Sequence, residues 1–363
     1  MSSKKVLDGN AIVYCEGAFN TPEGKTAHGL VRFTERYRVL SVIDSRHAGQ
    51  DAGEVIDGHP KGIPIFVNLE EALAAARENG TPAEYFVVGL APDGGRLPAP
   101  AREDVRLAIL AGLHIDCGLH DFLSEDSRIS RLAHAHGVRI RDIRKTPPRS
   151  ELHSFTGNIE KVKALKIAVL GTDSAVGKRT TAWIVVHAFR QAGYKAEMIG
   201  TGQTAWMQGA KYSIVLDSLI NDFVAGELEH ATYRAWEEQQ PDVIVLEGQG
   251  SLMNPAYPGG HEILAACRPD IVLMQHAPKR EEYDGFPGYP IHPLPTQIEA
   301  VELLSGKPVV AITINHENMS APEVDAAARR IGEETGLPAF DVLLNGADGL
   351  MDVLIPYLEA VKK

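Results

Sequence analysis

Short apolar runs of strand length alternate with longer stretches of helical spacing along almost the whole of this 363-residue chain. In the first part the apolar runs are residues 11–15, 38–43, 63–67, 85–90, 113–117 and 138–143, with amphipathic segments at 69–79, 102–111 and 126–136. Strand followed by helix, repeated, implies right-handed βαβ crossovers and a mostly parallel sheet. The rhythm breaks at 144–164, where a Pro-Pro pair, mixed charge and loss of periodicity mark a linker. It then resumes with strands predicted at 167–170, 195–199, 242–246, 271–274 and 309–314, a helical stretch from about Asp217 and a last helix at about 350–361. Two α/β domains follow, 1–150 and 151–363.

Ligands of parallel sheets sit beyond the carboxyl ends of the strands, so the segments after each strand carry the chemistry. Residues 166–181, KIAVLGTDSAVGKRTT, are the most informative. A strand leads into Gly171, Thr172, Asp173, Ser174, Ala175, Val176 and Gly177, then Lys178, Arg179 and Thr180 open a helix whose apolar face is Ala182, Val185, Val186 and Phe189. A Gly-bounded loop between strand and helix turns backbone N–H groups toward an anion, the helix terminus adds partial positive charge, and the lysine brings a point charge. Five residues separate Gly171 from Gly177, one more than in the common P-loop. Arg179 occupies the place where a hydroxyl normally coordinates Mg²⁺. A guanidinium adds a second cation for phosphate and cannot bind a metal.

Two further segments, 16–30 (EGAFNTPEGKTAHGL) and 44–54 (DSRHAGQDAGE), follow the first two strands and read equally as surface or binding loops; neither matches G-x-G-x-x-G. A third Gly-rich loop, GTGQTAWMQGA at 200–210, follows the strand after the phosphate loop.

Charge and cysteine content narrow the classes. A net charge of -12 disfavours nucleic acid as a partner, since backbone phosphates need a basic face. Cys15, Cys117 and Cys267 lie far apart and form no CxxC pair, so they read as buried thiols in a reducing compartment. MSSKKVLDGN lacks the apolar core of a secretion signal, and no run approaches the roughly 18 apolar residues of a membrane span. A cytoplasmic protein with a small-molecule substrate, no membrane partner and a homo-oligomeric state is the expectation.

GTDSAVGK resembles the GTDTxVGKT loop of dethiobiotin synthetase, a deviant branch of the P-loop proteins. The likeness extends to VIVLEGQGS, similar to that family's strand ending in EGAGG, and to AITINH followed by GLPAFDVL. In the first domain, GIPIFVNLEEALAA and EYFVVGLAPDGGRLP are similar to the CoA-binding domain of succinyl-CoA synthetase. Taken whole, with GTDSAVGKRTT, VLEGQGS and HGLVRF as its most specific pieces, the chain resembles a family that joins a Rossmann-like domain to a deviant P-loop domain and includes D-glutamate N-acetyltransferases. That resemblance implies an N-terminal Rossmann-like parallel sheet, a C-terminal P-loop parallel sheet, and acetyl transfer from acetyl-CoA to the α-amine of D-glutamate, with no metal. The resemblance to dethiobiotin synthetase places Gln203, Thr204 and Trp206 where its relatives bind their acyl-acceptor substrate.

The remaining candidates come from position and residue type. Glu247 closes an apolar strand and points toward the phosphate loop, as a base or metal-holding carboxylate would. Asp217, at the start of the helical stretch, and His261, beside Glu262 after a Pro-Gly-Gly turn, are alternative proton-handling groups, and Asp217 reads equally as part of a solvated face. Arg46 and Arg280 are the arginines expected to clamp a substrate carboxylate. The alternative reading is an ATP- and Mg²⁺-dependent ligase or kinase, with the metal shared by Thr180, Asp217 and Glu247. A nucleotide-gated binding module without turnover is a third.

Overall fold

The computed structural model describes residues 7–362; residues 1–6, part of the stretch read as lacking a secretion signal, lie outside them. The chain divides into two compact units, Met1–Thr146 with Gln203–Gly209, and Pro147–Gly202 with Ala210–Lys363.

The first unit is built on six parallel strands, β1 (Gly9–Tyr14), β2 (Tyr37–Ile43), β3 (Ile65–Phe66), β4 (Tyr85–Val88), β5 (His114–Cys117) and β6 (Ile140–Asp142), in the order β3-β2-β1-β4-β5-β6. This is the doubly wound order, whose reversal falls between β1 and β4. The second unit has seven parallel strands: β7 (Leu165–Gly171), β8 (Ala196–Gly200), β9 (Tyr212–Ser213), β10 (Val243–Glu247), β11 (Ile271–His276), β12 (Val309–Ile314) and β13 (Ala339–Phe340). Their order is β13-β12-β11-β7-β10-β8-β9, so β7 and its phosphate loop lie between β10 and β11. Parallel sheets are covered on both faces, which is why these strands read as continuous apolar runs. Every residue of β7, β10 and β12 is buried.

The predicted apolar face of the helix Lys178–Gln191 is the buried one, with Ala182, Val185, Val186 and Phe189 each 0% exposed. Residues 16–30 are more ordered than a loop: after a 3-10 turn at Pro22–Gly24, the helix Lys25–Arg32 buries Thr26, Ala27, Leu30 and Val31. The helical stretch expected from about Asp217 starts instead at Asn221, because Leu216–Ser218 closes a separate 3-10 turn.

GTGQTAWMQGA departs furthest from expectation. Its glycines bracket a helix, Gln203–Gln208, that buries Thr204, Ala205, Met207 and Gln208 in the first unit. Thr204 and Thr26 share a hydroxyl hydrogen bond of 2.9 Å, and Gln208 Nε2 donates to the carbonyls of Gly29 and Phe33. Arg36 Nε donates to the Trp206 carbonyl at 2.7 Å, and its guanidinium lies 3.7 Å over the Trp206 ring. Gly209 ends the segment at φ 104°, and a Cβ there would sit 3.0 Å from that of Glu35. Only glycine makes that turn without strain.

All three cysteines are buried free thiols, and burial pushes Cys117 and Cys267 up to about 12, which leaves them inert. Among the described residues no helix is long and apolar enough to cross a membrane.

The linker is pinned by one carboxylate. Glu229, buried on the helix Asn221–Gln239, accepts from Thr156 N at 2.6 Å, Thr156 Oγ1 at 2.9 Å and Ile159 N at 3.1 Å. Burial alone would raise its pKa, but these bonds together lower it below the usual glutamate value. A lowered folded pKa stabilises the fold above the unfolded value and loses that contribution as the pH falls. Glu229→Ala is expected to cost about 1–3 kcal/mol in urea unfolding at pH 7, since it strands the buried Ile159 N–H and frees both Thr156 donors. Glu229→Gln should flatten the decline of stability on acidification below the ordinary glutamate range.

Candidate functional site

The phosphate loop takes its shape from two left-handed residues, Ala175 at φ 52° and Gly177 at φ 103°. The second starts the helix Lys178–Gln191, so the loop and the helix N-terminus form one concave run of backbone. Lys178 was expected as a point charge for a bound anion. Instead it is buried, and Nζ donates to the carbonyls of Asp173 (2.6 Å) and Gly250 (2.7 Å). The ammonium thus ties the loop after β7 to the loop after β10.

Asp173 also has a different role from the one expected. Its fully buried carboxylate accepts four bonds, from Ser174 N (2.6 Å) and Asn254 Nδ2 (2.8 Å) on one oxygen, and from Arg280 Nη1 (2.9 Å) and Asp284 N (2.8 Å) on the other. A carboxylate so placed repels a phosphate and serves as the fastening of the loop. Arg280, expected at a substrate carboxylate, is spent on this fastening: it also donates to the Ser174 carbonyl at 2.8 Å and to Glu317 at 2.6 Å, with a side chain 11% exposed.

The neighbouring strands complete the support. At the end of β11, Gln275 Oε1 accepts from Thr181 (2.5 Å) and Thr313 (2.6 Å), and Asn315 Nδ2 donates to the Val176 carbonyl at 2.9 Å. Of the two threonines after Arg179, Thr181 is therefore committed to the core, while Thr180 stays partly exposed on the first turn. His276 Nδ1 lies 3.0 Å from Thr172 Oγ1. Burial, aided by Arg330 and Arg280, pushes this imidazole down to about 4, so it is neutral at pH 7.

Glu247 closes β10 with 4% exposure and accepts from Thr201 N at 2.8 Å. Burial raises its pKa above the usual glutamate value, against the pull of Arg179, the Thr201 N–H and Lys178. A carboxylate that resists ionisation beside two cations at a phosphate loop has the properties of a general base. Gly248 lets β10 approach: a Cβ there would lie 2.3 Å from the Val169 carbonyl and 3.1 Å from Lys178 Cδ.

The other candidates are exposed or belong to the first unit. Asp217 is exposed on the 3-10 turn Leu216–Ser218. His261 is exposed at the start of the helix His261–Cys267, and Glu262 accepts from Gly260 N at 3.1 Å instead of pairing with it. Gln203 and Thr204 belong to the first unit, where Thr204 is 2% exposed. Arg46, with a side chain 45% exposed, donates to Asn20 at 3.1 Å in the first unit. The loop after β1 in that unit is closed on itself. The buried carboxylate of Asp44, at the end of β2, accepts from Gly17 N, Phe19 N and Arg46 N and from His47 Nδ1, filling the donors that a phosphate would seek.

Sequence reasoning missed Asn254, Asp284, Glu317 and His276. Only His276 had a legible signal, as the last residue of the apolar run IVLMQH.

A Rossmann-like sheet and a phosphate-loop sheet in one chain define a two-domain α/β protein with a deviant P-loop. Residues 153–351 match the family described as "Domain of unknown function (DUF1611_C) P-loop domain", and residues 45–146 match "Domain of unknown function (DUF1611_N) Rossmann-like domain". The chain belongs to the DUF1611 family. The crystal structure of a DUF1611 family protein from Anabaena variabilis ATCC 29413 is similar over 96% of this chain and 99% of its own, with a TM-score of 0.87 and 28% identity. Two relatives are named D-glutamate N-acetyltransferase. The protein from Tritonibacter scottomollicae is 28% identical over 79% of this chain and 84% of its own, and that from Pseudoalteromonas sp is 30% identical over 74% and 80%.

The fastening role of Asp173 has a measurable consequence. Asp173→Ala leaves the Arg280 guanidinium buried without its main partner and should destabilise the protein by about 3–5 kcal/mol in denaturant unfolding. Asp173→Ala combined with Arg280→Met should recover part of that loss.

Proposed function

We propose that the protein transfers acetyl from acetyl-CoA to the α-amine of a small amino acid, D-glutamate being the acceptor that the relatives' names support. The observation that carries this reading is a phosphate loop whose metal-binding position is Arg179, with the buried carboxylate Glu247 held within electrostatic reach of Arg179 and Lys178. The loop N–H groups with Lys178 and Arg179 hold phosphate of CoA. The amine nitrogen attacks the thioester carbonyl; the C–N bond forms, the C–S bond breaks, Glu247 takes the amine proton, and the thiolate leaves and is protonated to CoA. Loop N–H groups stabilise the oxyanion. No anhydride is cleaved, so this chemistry asks nothing of Mg²⁺.

The test is thiol release from acetyl-CoA with D-glutamate, L-glutamate and D-glutamine in turn. D-Glutamate should react fastest, and activity should survive excess EDTA. Loss of turnover on chelation, with recovery on adding Mg²⁺, would transfer the case to the ATP-dependent ligase or kinase reading.

Two substitutions probe the roles. Lys178→Ala should raise the Kd for CoA by about ten- to a hundredfold, since it removes the loop's buried positive charge together with the tie that charge makes to the Gly250 loop. Glu247→Gln should slow turnover by about 10²–10⁴-fold. Since Glu247 acts as the carboxylate and its pKa is raised, activity of the native protein should fall with decreasing pH already above the ordinary glutamate value, and kcat/KM against pH reads this directly.

A further inference from the structure

The loops after β10 and β11 in the second unit form a half-open groove of about 420 Å³, lined chiefly by Met253, Pro255, Tyr283, Tyr289, Ile291 and His292. Both walls hang on the phosphate loop. Asn254, between Met253 and Pro255, donates to one oxygen of Asp173, and the backbone N–H of Asp284, next to Tyr283, donates to the other. On two sides the residue next to a lining residue is thus bonded to the phosphate loop. Its first wall also belongs to the loop that begins at Glu247.

The lining states what the groove cannot take. None of its residues is lysine or arginine, and the nearest guanidinium along the chain, Arg280, is held by Asp173 and Glu317. A dicarboxylate amino acid or a phosphate would lie there without a counter-charge. A nucleobase sandwich needs facing parallel rings. The aromatic pairs here are inclined instead, Tyr283 to His292 at 52° and Phe286 to Tyr289 at 84°. What remains compatible is a slender, mainly apolar chain with few polar groups, for which the Tyr283 hydroxyl and His292 Nδ1, 2.8 Å apart, are the polar handle.

We propose, resting on the acetyl-CoA reading, that this groove holds the pantetheine arm of the thioester donor, while the phosphate loop holds its phosphate. The arm then runs along the loop that carries Glu247, toward the carboxylate that receives the amine proton.

Calorimetric titration of three ligands separates the possibilities: CoA, pantetheine 4′-phosphate (the arm without the nucleotide) and adenosine 3′,5′-bisphosphate (the nucleotide without the arm). Met253→Trp and Ile291→Trp fill the groove, and Tyr289→Ala removes a wall at a residue 55% exposed, where folding is not at stake. Each should weaken CoA and pantetheine 4′-phosphate by about tenfold or more, while adenosine 3′,5′-bisphosphate changes by less than about twofold. That last ligand also reports an intact fold. Unchanged CoA affinity in all three variants, or a loss confined to adenosine 3′,5′-bisphosphate, overturns the proposal and leaves the acetyl-CoA reading standing. If the native protein binds neither CoA nor pantetheine 4′-phosphate, the acetyl-CoA reading itself falls, and this one with it.

Discussion

The second unit's site depends on one buried negative charge. Asp173 sits inside a loop built for anions, where an uncompensated carboxylate would work against the ligand and cost several kcal/mol. Four donors resolve the conflict, and each comes from a different place: the loop itself, the segment after β10, and two points after β11. The same residue's carbonyl receives the Lys178 ammonium. One residue thereby fixes the curvature of the loop, the position of its lysine and the edges of the adjoining groove.

Strand register carries the rest. Glu247 is paired with Val169 and Gln275 with Gly171, so the ends of β10 and β11 arrive level with the start of the loop between them. In a parallel sheet that alignment is set by apolar pairing far below the site. Glu247 and the loop supports are thus positioned by the core and need no contact with ligand to stay in place. The absence of a side chain at Gly248 is what lets the two loops close on each other.

How much of this could be read beforehand follows from the range of the interactions. The strands, the phosphate loop and Glu247 were legible because each is written in contiguous residues: an apolar run, a glycine pair, a carboxylate at a run's end. The duties of Asp173 and Arg280 were not, since a carboxylate and a guanidinium 107 positions apart look like two ligand groups until the fold joins them. The structural tie made by Lys178 was hidden for a similar reason, its carbonyl partner at Gly250 lying on another strand's loop. Asp217 and His261 were chosen by residue type near strand ends, and both are exposed where Glu247 is buried. The helix Gln203–Gln208 was hidden by its flanking glycines, which look like loop composition although they mark a compact helix's two ends.

That helix also bears on how the chain is made. The first unit takes six residues and a closing glycine from beyond Pro147–Gly202, and Met207 is part of its core. During synthesis its sheet can pair as soon as β6 emerges from the ribosome, yet the niche for Trp206 and Met207 stays open until the whole of β7, the phosphate loop and β8 have been translated. A gene fragment ending at Thr146 would encode a sheet with a permanent gap in its wall. A cut at the linker would for that reason divide the core of the first unit from part of its own lining.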